Sequence, residues 1–203
     1  MYVTVAVNYR EIDIEVLLQI ARAAGDAIME IYQRNYDVEV KDDKSPLTEA
    51  DKKSNTIILD GLKKYYPDIP FISEETKQIP FEVRKNWNRL WLIDPLDGTK
   101  EFIKKNGEFT VNIALIENGV PVVGVVYVPA QQKIYFGAKG IGSFKVDEAN
   151  QKLPIYNRVH YSTKQKVTVV ASRSHLDERT IQFVDELKAK GKQVEFISSG
   201  SSL

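Results

Sequence analysis

The run Asp94-Pro95-Leu96-Asp97-Gly98-Thr99 sets two carboxylates three residues apart around a proline, with a glycine and a threonine behind them. Hard divalent cations take oxygen ligands, and Mg²⁺ in particular keeps several waters and shares phosphate oxygens with one or two carboxylates. Asp94 and Asp97, with the Leu96 carbonyl beside them, suit a cation that also touches a phosphate. Glu74 and Glu75 end another apolar run and offer a further carboxylate at the same sheet edge. Gly98 lets the backbone approach a ligand closely, and a helix beginning at Thr99 would turn its first amides toward an anion. A lone Asp-x-x-Asp is more often a turn or helix cap. The strand before this one and the Gly-Thr behind it favour metal-assisted phosphomonoester hydrolysis.

The elements that must position these groups follow from periodicity. Ile14, Leu17, Leu18, Ala21, Ala24, Ile28 and Ile31 follow the three-four spacing of a helix face between Glu11 and Gln33. A polar stretch from Asp37 to Pro46 reads as a strand edge and loop. Thr48 and Asp51 have the spacing of a capping box, opening a second helix that Pro67 ends. Residues 69–75 read as a strand running into the two glutamates. Asn86 to Asp94 reads as a strand apolar enough for burial on both faces, which the chain leaves at Pro95 because proline cannot donate to a ladder.

Thr110–Ile116 and Val120–Val128 flank Asn118-Gly119, the signature of a type I′ hairpin. Further strands are expected at Lys133–Phe136, Ser143–Val146, Val167–Ala171 and Val194–Ile197, with a helix over Asp177–Lys190 that Gly191 stops. The glycines of residues 137–143 fall between strands, so they read as turns rather than a nucleotide-binding loop. The expected organisation is an α+β unit over residues 1–146 and an incomplete α/β unit over 147–203.

Among 203 residues, 28 basic and 28 acidic side chains balance. That gives no electrostatic footprint for polymeric nucleic acid. No cysteine is present, which excludes thiolate chemistry, and the short apolar N-terminus is neither a signal peptide nor a membrane span. The expected location is the cytoplasm, in solution or peripherally at the inner membrane. His160 and His175 stand outside the acidic cluster and read as surface or packing residues.

The segments 45–51 (SPLTEAD), 71–75 (FISEE), 91–102 (WLIDPLDGTKEF) and 106–129 resemble the inositol monophosphatase-like sugar-phosphatase superfamily. The Lys-Glu-Phe after Thr99, the run 171–175 (ASRSH) and the closing ISSGSSL are similar to its 3′(2′),5′-bisphosphate nucleotidase branch of the CysQ type. The resemblance implies a layered α-β-α-β-α sandwich and two or more Mg²⁺ ions. It implies that Glu74, Asp94 and the Leu96 carbonyl hold one cation, and that Asp94 and Asp97 share a second. It places Asp51 and Thr99 at the attacking water, and the substrate phosphate against Glu74 and the loop Leu96, Asp97, Gly98 and Thr99. Arg173 is a candidate for a second phosphate through bidentate pairing.

The family's downstream aspartate, in a Trp-Asp motif, has no counterpart up to Leu203. A second cation site short of one carboxylate and an uncovered α/β layer are therefore expected. The implied reaction is hydrolysis of 3′-phosphoadenosine 5′-phosphate by a metal-activated water, a step that clears a by-product of sulfate assimilation. The competing readings are an inositol or sugar monophosphatase and a non-catalytic chain that binds metal or nucleotide.

Overall fold

The computed structural model describes residues 8–40, 46–77, 79–147, 149–156, 163–172 and 177–201. A short antiparallel ladder of β1 (Asn8–Tyr9) and β2 (Ile12–Asp13) leads into α1 (Ile14–Tyr32). The Asp13 side chain accepts the Glu15 amide and caps that helix, and every apolar residue of its sequence stripe is buried. β3 (Val38–Val40) and β4 (Pro46–Thr48) pair antiparallel, so the polar stretch between the helices is a small ladder of its own. α2 (Glu49–Tyr65) starts at the expected capping box, with Thr48 and Asp51 bonded reciprocally.

Seven strands form the main sheet. They are β5 (Phe71–Ser73), β6 (Arg89–Asp97), β7 (Thr110–Glu117), β8 (Val120–Val128), β9 (Lys133–Ala138), β10 (Gly142–Val146) and β11 (Lys152–Pro154). They lie in the order β11-β10-β9-β8-β7-β6-β5, and only the β5–β6 pair is parallel. The β7–β8 turn has positive φ at Asn118 (50°) and Gly119 (76°), as a type I′ hairpin requires. Between the strands lie two short helices, α3 (Phe81–Arg84) and α4 (Thr99–Ile103). Past α4, the Lys105 ammonium rests 4.3 and 4.7 Å from the ring centres of Tyr32 and Tyr36, which ties the following loop to the end of α1.

Alternate residues of the sheet bury one face. Trp91 and Ile93, Val111, Ile113 and Leu115, Val123 and Val125, and Ile134 and Phe136 share one core with the stripes of α1 and α2. Each such side chain contributes roughly 1.5–3 kcal/mol of burial free energy. The opposite face is open in places, and Leu92 of β6 is 47% exposed. The expectation that this strand is buried on both faces is thus corrected. Its apolar run alternates after all, with Trp91 and Ile93 inward and Leu92 outward.

β12 (Lys166–Ser172), α5 (Glu178–Ala189) and β13 (Gln193–Ser199) form a parallel strand-helix-strand unit. Asp177 caps its helix through the Thr180 amide. Only Val184 and Leu187 of α5 are buried, while Val170, Ile181, Phe183, Phe196 and Ile197 remain 44–58% exposed. β11 belongs to the main sheet although it lies past residue 146. We therefore propose that the first unit runs to about Pro154 and that the second begins with β12. The sandwich-type mixture of sheet and helices is as expected. Among the described residues no helix is long and apolar enough to cross a membrane.

Candidate active site

On a regular strand, residues three apart face opposite sides of the sheet. Asp94 and Asp97 escape that rule through a bulge. Asp94 pairs with Asn112 and Asp97 with Thr110, so three steps along β6 match two along β7. The extra residue restores parity and brings both carboxylates to one face. The sequence reading had the chain leaving the sheet at Pro95. Instead the strand bulges there and pairs again, because a proline without an amide hydrogen is tolerated where the ladder is already interrupted. The Ser54 hydroxyl of α2 fixes this bulge by donating to the Pro95 carbonyl at 2.7 Å, in the protein interior.

The parallel pairing of β5 with β6 places their C-terminal ends side by side, Ser73 opposite Ile93. The next residue, Glu74, donates its amide to the Ile93 carbonyl at 3.2 Å and so lies against Asp94. Burial, then the charges of Glu74 and Asp97, push the Asp94 carboxyl up to about 7. Its Oδ1 is buried and has no hydrogen-bond partner.

Among the described residues no three His, Asp or Glu side chains stand in a ready-made cation cage. The donor set nevertheless fits a hard divalent cation. It is all oxygen, its negative charges repel one another, and Asp94 Oδ1 is an orphaned acceptor that a cation would satisfy. Glu74 and Asp94 open on a groove of about 640 Å³, lined also by Ser73, Asn112 and the cationic Lys77 and Arg84.

The start of α4 adds a second group. Thr99 Oγ1 lies 3.1 Å from Asp51 Oδ1 and 3.4 Å from the Leu96 carbonyl. Asp51 is 1% exposed. Its other oxygen already accepts the Thr48 amide at 2.8 Å and the Thr48 hydroxyl at 2.6 Å. Burial raises its pKa, and the hydrogen bonds from Thr48 and Thr99 only partly oppose this. Asp51 therefore both completes the helix cap and reaches Thr99 with its free oxygen. The N-cap Gly98 offers no side chain to cap the first turn of α4, which suits an anion at its leading amides.

Gly98 joins the two groups with φ +93°, and a Cβ there would stand 2.8 Å from the Glu108 carbonyl. Gly98→Ala is expected to cost about 2 kcal/mol, read as a lowered midpoint in urea unfolding.

Glu74 and Asp97 thus lie near Asp94, Thr99 lies near both Asp51 and the Leu96 carbonyl, and Gly98 links the two groups. Arg173, His160 and His175 lie outside the described residues. Sequence reasoning missed Ser54, Thr110, Asn112 and Ser201. The Ser201 hydroxyl lies 2.8 Å from Asp97 Oδ2, and nothing in the spacing of a final Ser-rich turn announces a contact with a carboxylate so far away.

The chain is similar to known proteins. The description "Inositol monophosphatase family" matches residues 10–203. The chain is 44% identical over 192 residues to the 3′(2′),5′-bisphosphate nucleotidase CysQ of Salmonella typhimurium, covering 94% of this chain and 74% of that protein. It is 44% identical over 187 residues to the protein of the same name from Escherichia coli K12, covering 91% and 72%. The crystal structure of CysQ from Bacteroides thetaiotaomicron, described as a bacterial member of the inositol monophosphatase family, superposes with a TM-score of 0.75 at 39% identity, over 93% of this chain and 72% of that one. The chain spans about three quarters of the length of these relatives. With its bulged aspartate pair, its neighbouring glutamate and these relatives, the chain belongs to the inositol monophosphatase family.

Proposed function

We propose that the chain is a Mg²⁺-dependent phosphomonoesterase that hydrolyses 3′-phosphoadenosine 5′-phosphate to AMP and phosphate in the cytoplasm, clearing a by-product of sulfate assimilation. The observation that carries the reading is the buried, unpartnered Oδ1 of Asp94 between Glu74 and Asp97, with the Thr99–Asp51 pair beside it. The substrate rests on similarity to proteins named as bisphosphate nucleotidases.

In this reading Glu74, Asp94 and the Leu96 carbonyl hold one cation, and Asp94 and Asp97 hold a second. Bound Mg²⁺ would polarise the phosphoryl group and acidify water at the site. The chain's own groups then orient and deprotonate. The amides of the Gly98–Thr99 turn face the phosphate. Thr99 passes its hydroxyl proton to Asp51 Oδ1 as it takes one from the attacking water. The new P–O bond forms as the bond to the ribose 3′ oxygen breaks, and solvent protonates the leaving oxygen. Because Thr48 occupies the second Asp51 oxygen, only the one turned to Thr99 takes part.

Phosphate release from 3′-phosphoadenosine 5′-phosphate and from inositol 1-phosphate tests the reading. The bisphosphate is expected to turn over at least roughly tenfold better in kcat/KM, a floor well below the discrimination that contacts to polar substrate groups can reach. Equal or better hydrolysis of the inositol ester would overturn the substrate. No phosphate from either, with Mg²⁺ present, would favour a binding protein over an enzyme.

A further inference from the structure

We infer that Ser201, itself held by Thr110, is the positioning residue that aims the Asp97 carboxylate at its cation. This rests on the proposed role of Asp97 as a metal ligand.

Asp97 needs outside support, because it sits where the β6 ladder has just been interrupted. Its Oδ2 receives the Ser201 hydroxyl at 2.8 Å, whereas the Asn112 amide stands off at 3.5 Å. Ser201 Oγ also lies 3.0 Å from the Asp97 carbonyl and 2.9 Å from Thr110 Oγ1. A hydroxyl has one proton to give. The carboxylate is nearer and charged, so it takes that proton, and Thr110 donates to Ser201 in turn. Thr110 is fully buried and faces Asp97 across the ladder. The result is a directed chain from Thr110 through Ser201 to Asp97 Oδ2, which fixes the angle at which the carboxylate meets its cation.

Two independent features show that Ser201 is held for a purpose. Its φ is +57°, a left-handed conformation that costs a serine free energy and persists where the surroundings over-determine it. Those surroundings are built. The preceding Gly200 donates its amide to Glu108 Oε2 at 3.1 Å, and Ser201 Cβ fills the space that a Cβ on Gly98 would need, 3.0 Å away. Ser201 directly follows the turn from β13, so among the described residues the strand-helix-strand unit reaches Asp97 through this side chain.

Calorimetric titration of the protein with Mg²⁺, in the absence of substrate, tests the assignment. Ser201→Ala is expected to weaken the affinity about tenfold, the lower end of effects for groups that orient a ligand. Ser201→Thr, which keeps the hydroxyl, should stay within about threefold of the parent. Thr110→Val should weaken binding less than Ser201→Ala, and the double variant should be no weaker than Ser201→Ala alone, as members of one chain behave. Circular dichroism confirms that each variant is folded. Asp94→Asn is the control and should abolish Mg²⁺ binding. Parent-like affinity in Ser201→Ala, or equal loss in folded Ser201→Ala and Ser201→Thr, overturns the inference. Parent-like affinity in Asp94→Asn overturns the metal reading beneath it instead.

Discussion

Asp94→Asn is expected to abolish phosphate release while making the metal-free fold more stable near pH 8. The loss of activity should reach about 10³-fold or more, since cation polarisation and nucleophile generation are together worth several kcal/mol. The gain in stability follows from linkage. In the unfolded chain Asp94 ionises at its ordinary value of 3.8, and in the fold it ionises at about 7. The folded state holds the proton more tightly, so this group's contribution to stability is complete below about pH 4 and is lost as pH rises through about 7.

Asparagine removes that dependence. Its stabilising effect should be near zero at about pH 4 and should grow to the order of 2–4 kcal/mol at about pH 8. Melting temperatures in a chelating buffer across this range measure it directly. Adding Mg²⁺ at the alkaline end should raise the melting temperature of the parent and leave that of Asp94→Asn unmoved. A parent whose metal-free stability is flat between those limits would show that Asp94 does not carry the repulsion described.

Asp51→Asn should leave the fold nearly intact and lower kcat by about 10²–10⁴, the range for removal of an acid-base group. The geometry explains why the two effects separate. The amide oxygen can replace Oδ2 and go on accepting from the Thr48 amide and hydroxyl, so the cap survives. The amide nitrogen must then face Thr99, where the carboxylate oxygen stood. A donor now meets that hydroxyl. Thr99 becomes the acceptor, and its own proton turns to the Leu96 carbonyl, the other oxygen within reach. No group remains to receive a proton through Thr99. If Asp51 served the cap alone, Asp51→Asn would change melting temperature and kcat in proportion. A large fall in kcat with less than about 1 kcal/mol of destabilisation, within the spread of ordinary substitutions, assigns the proton role.

Much of this was legible from local rules. The stripe of α1, the Thr48–Asp51 cap and the Asn118-Gly119 hairpin each follow from a pattern confined to a few neighbouring residues, and each stands as read. The carboxylate cluster was legible because strand ends deliver its members. Errors arose where one local feature has two physical solutions. Four apolar residues in a row, Leu90 to Ile93, suit either two buried faces or one buried face with Leu92 outside. Pro95 ends some strands and occupies bulges in others. α3 was missed because four residues hold no periodic signal. Ser201 was illegible for another reason. Its partner is 104 positions away in the chain, and only the packed fold shows that a serine past one strand completes a site at the end of another.

The single surplus residue in β6 also governs how this site can change over time. Exchange of Leu96 for a similar apolar residue leaves the count of positions between the aspartates untouched. Loss or gain of one residue there would turn one aspartate to the far side of the sheet and dismantle the cluster in one event. The stretch should therefore tolerate rewording but not relengthening, a constraint opposite to the one that governs ordinary surface loops.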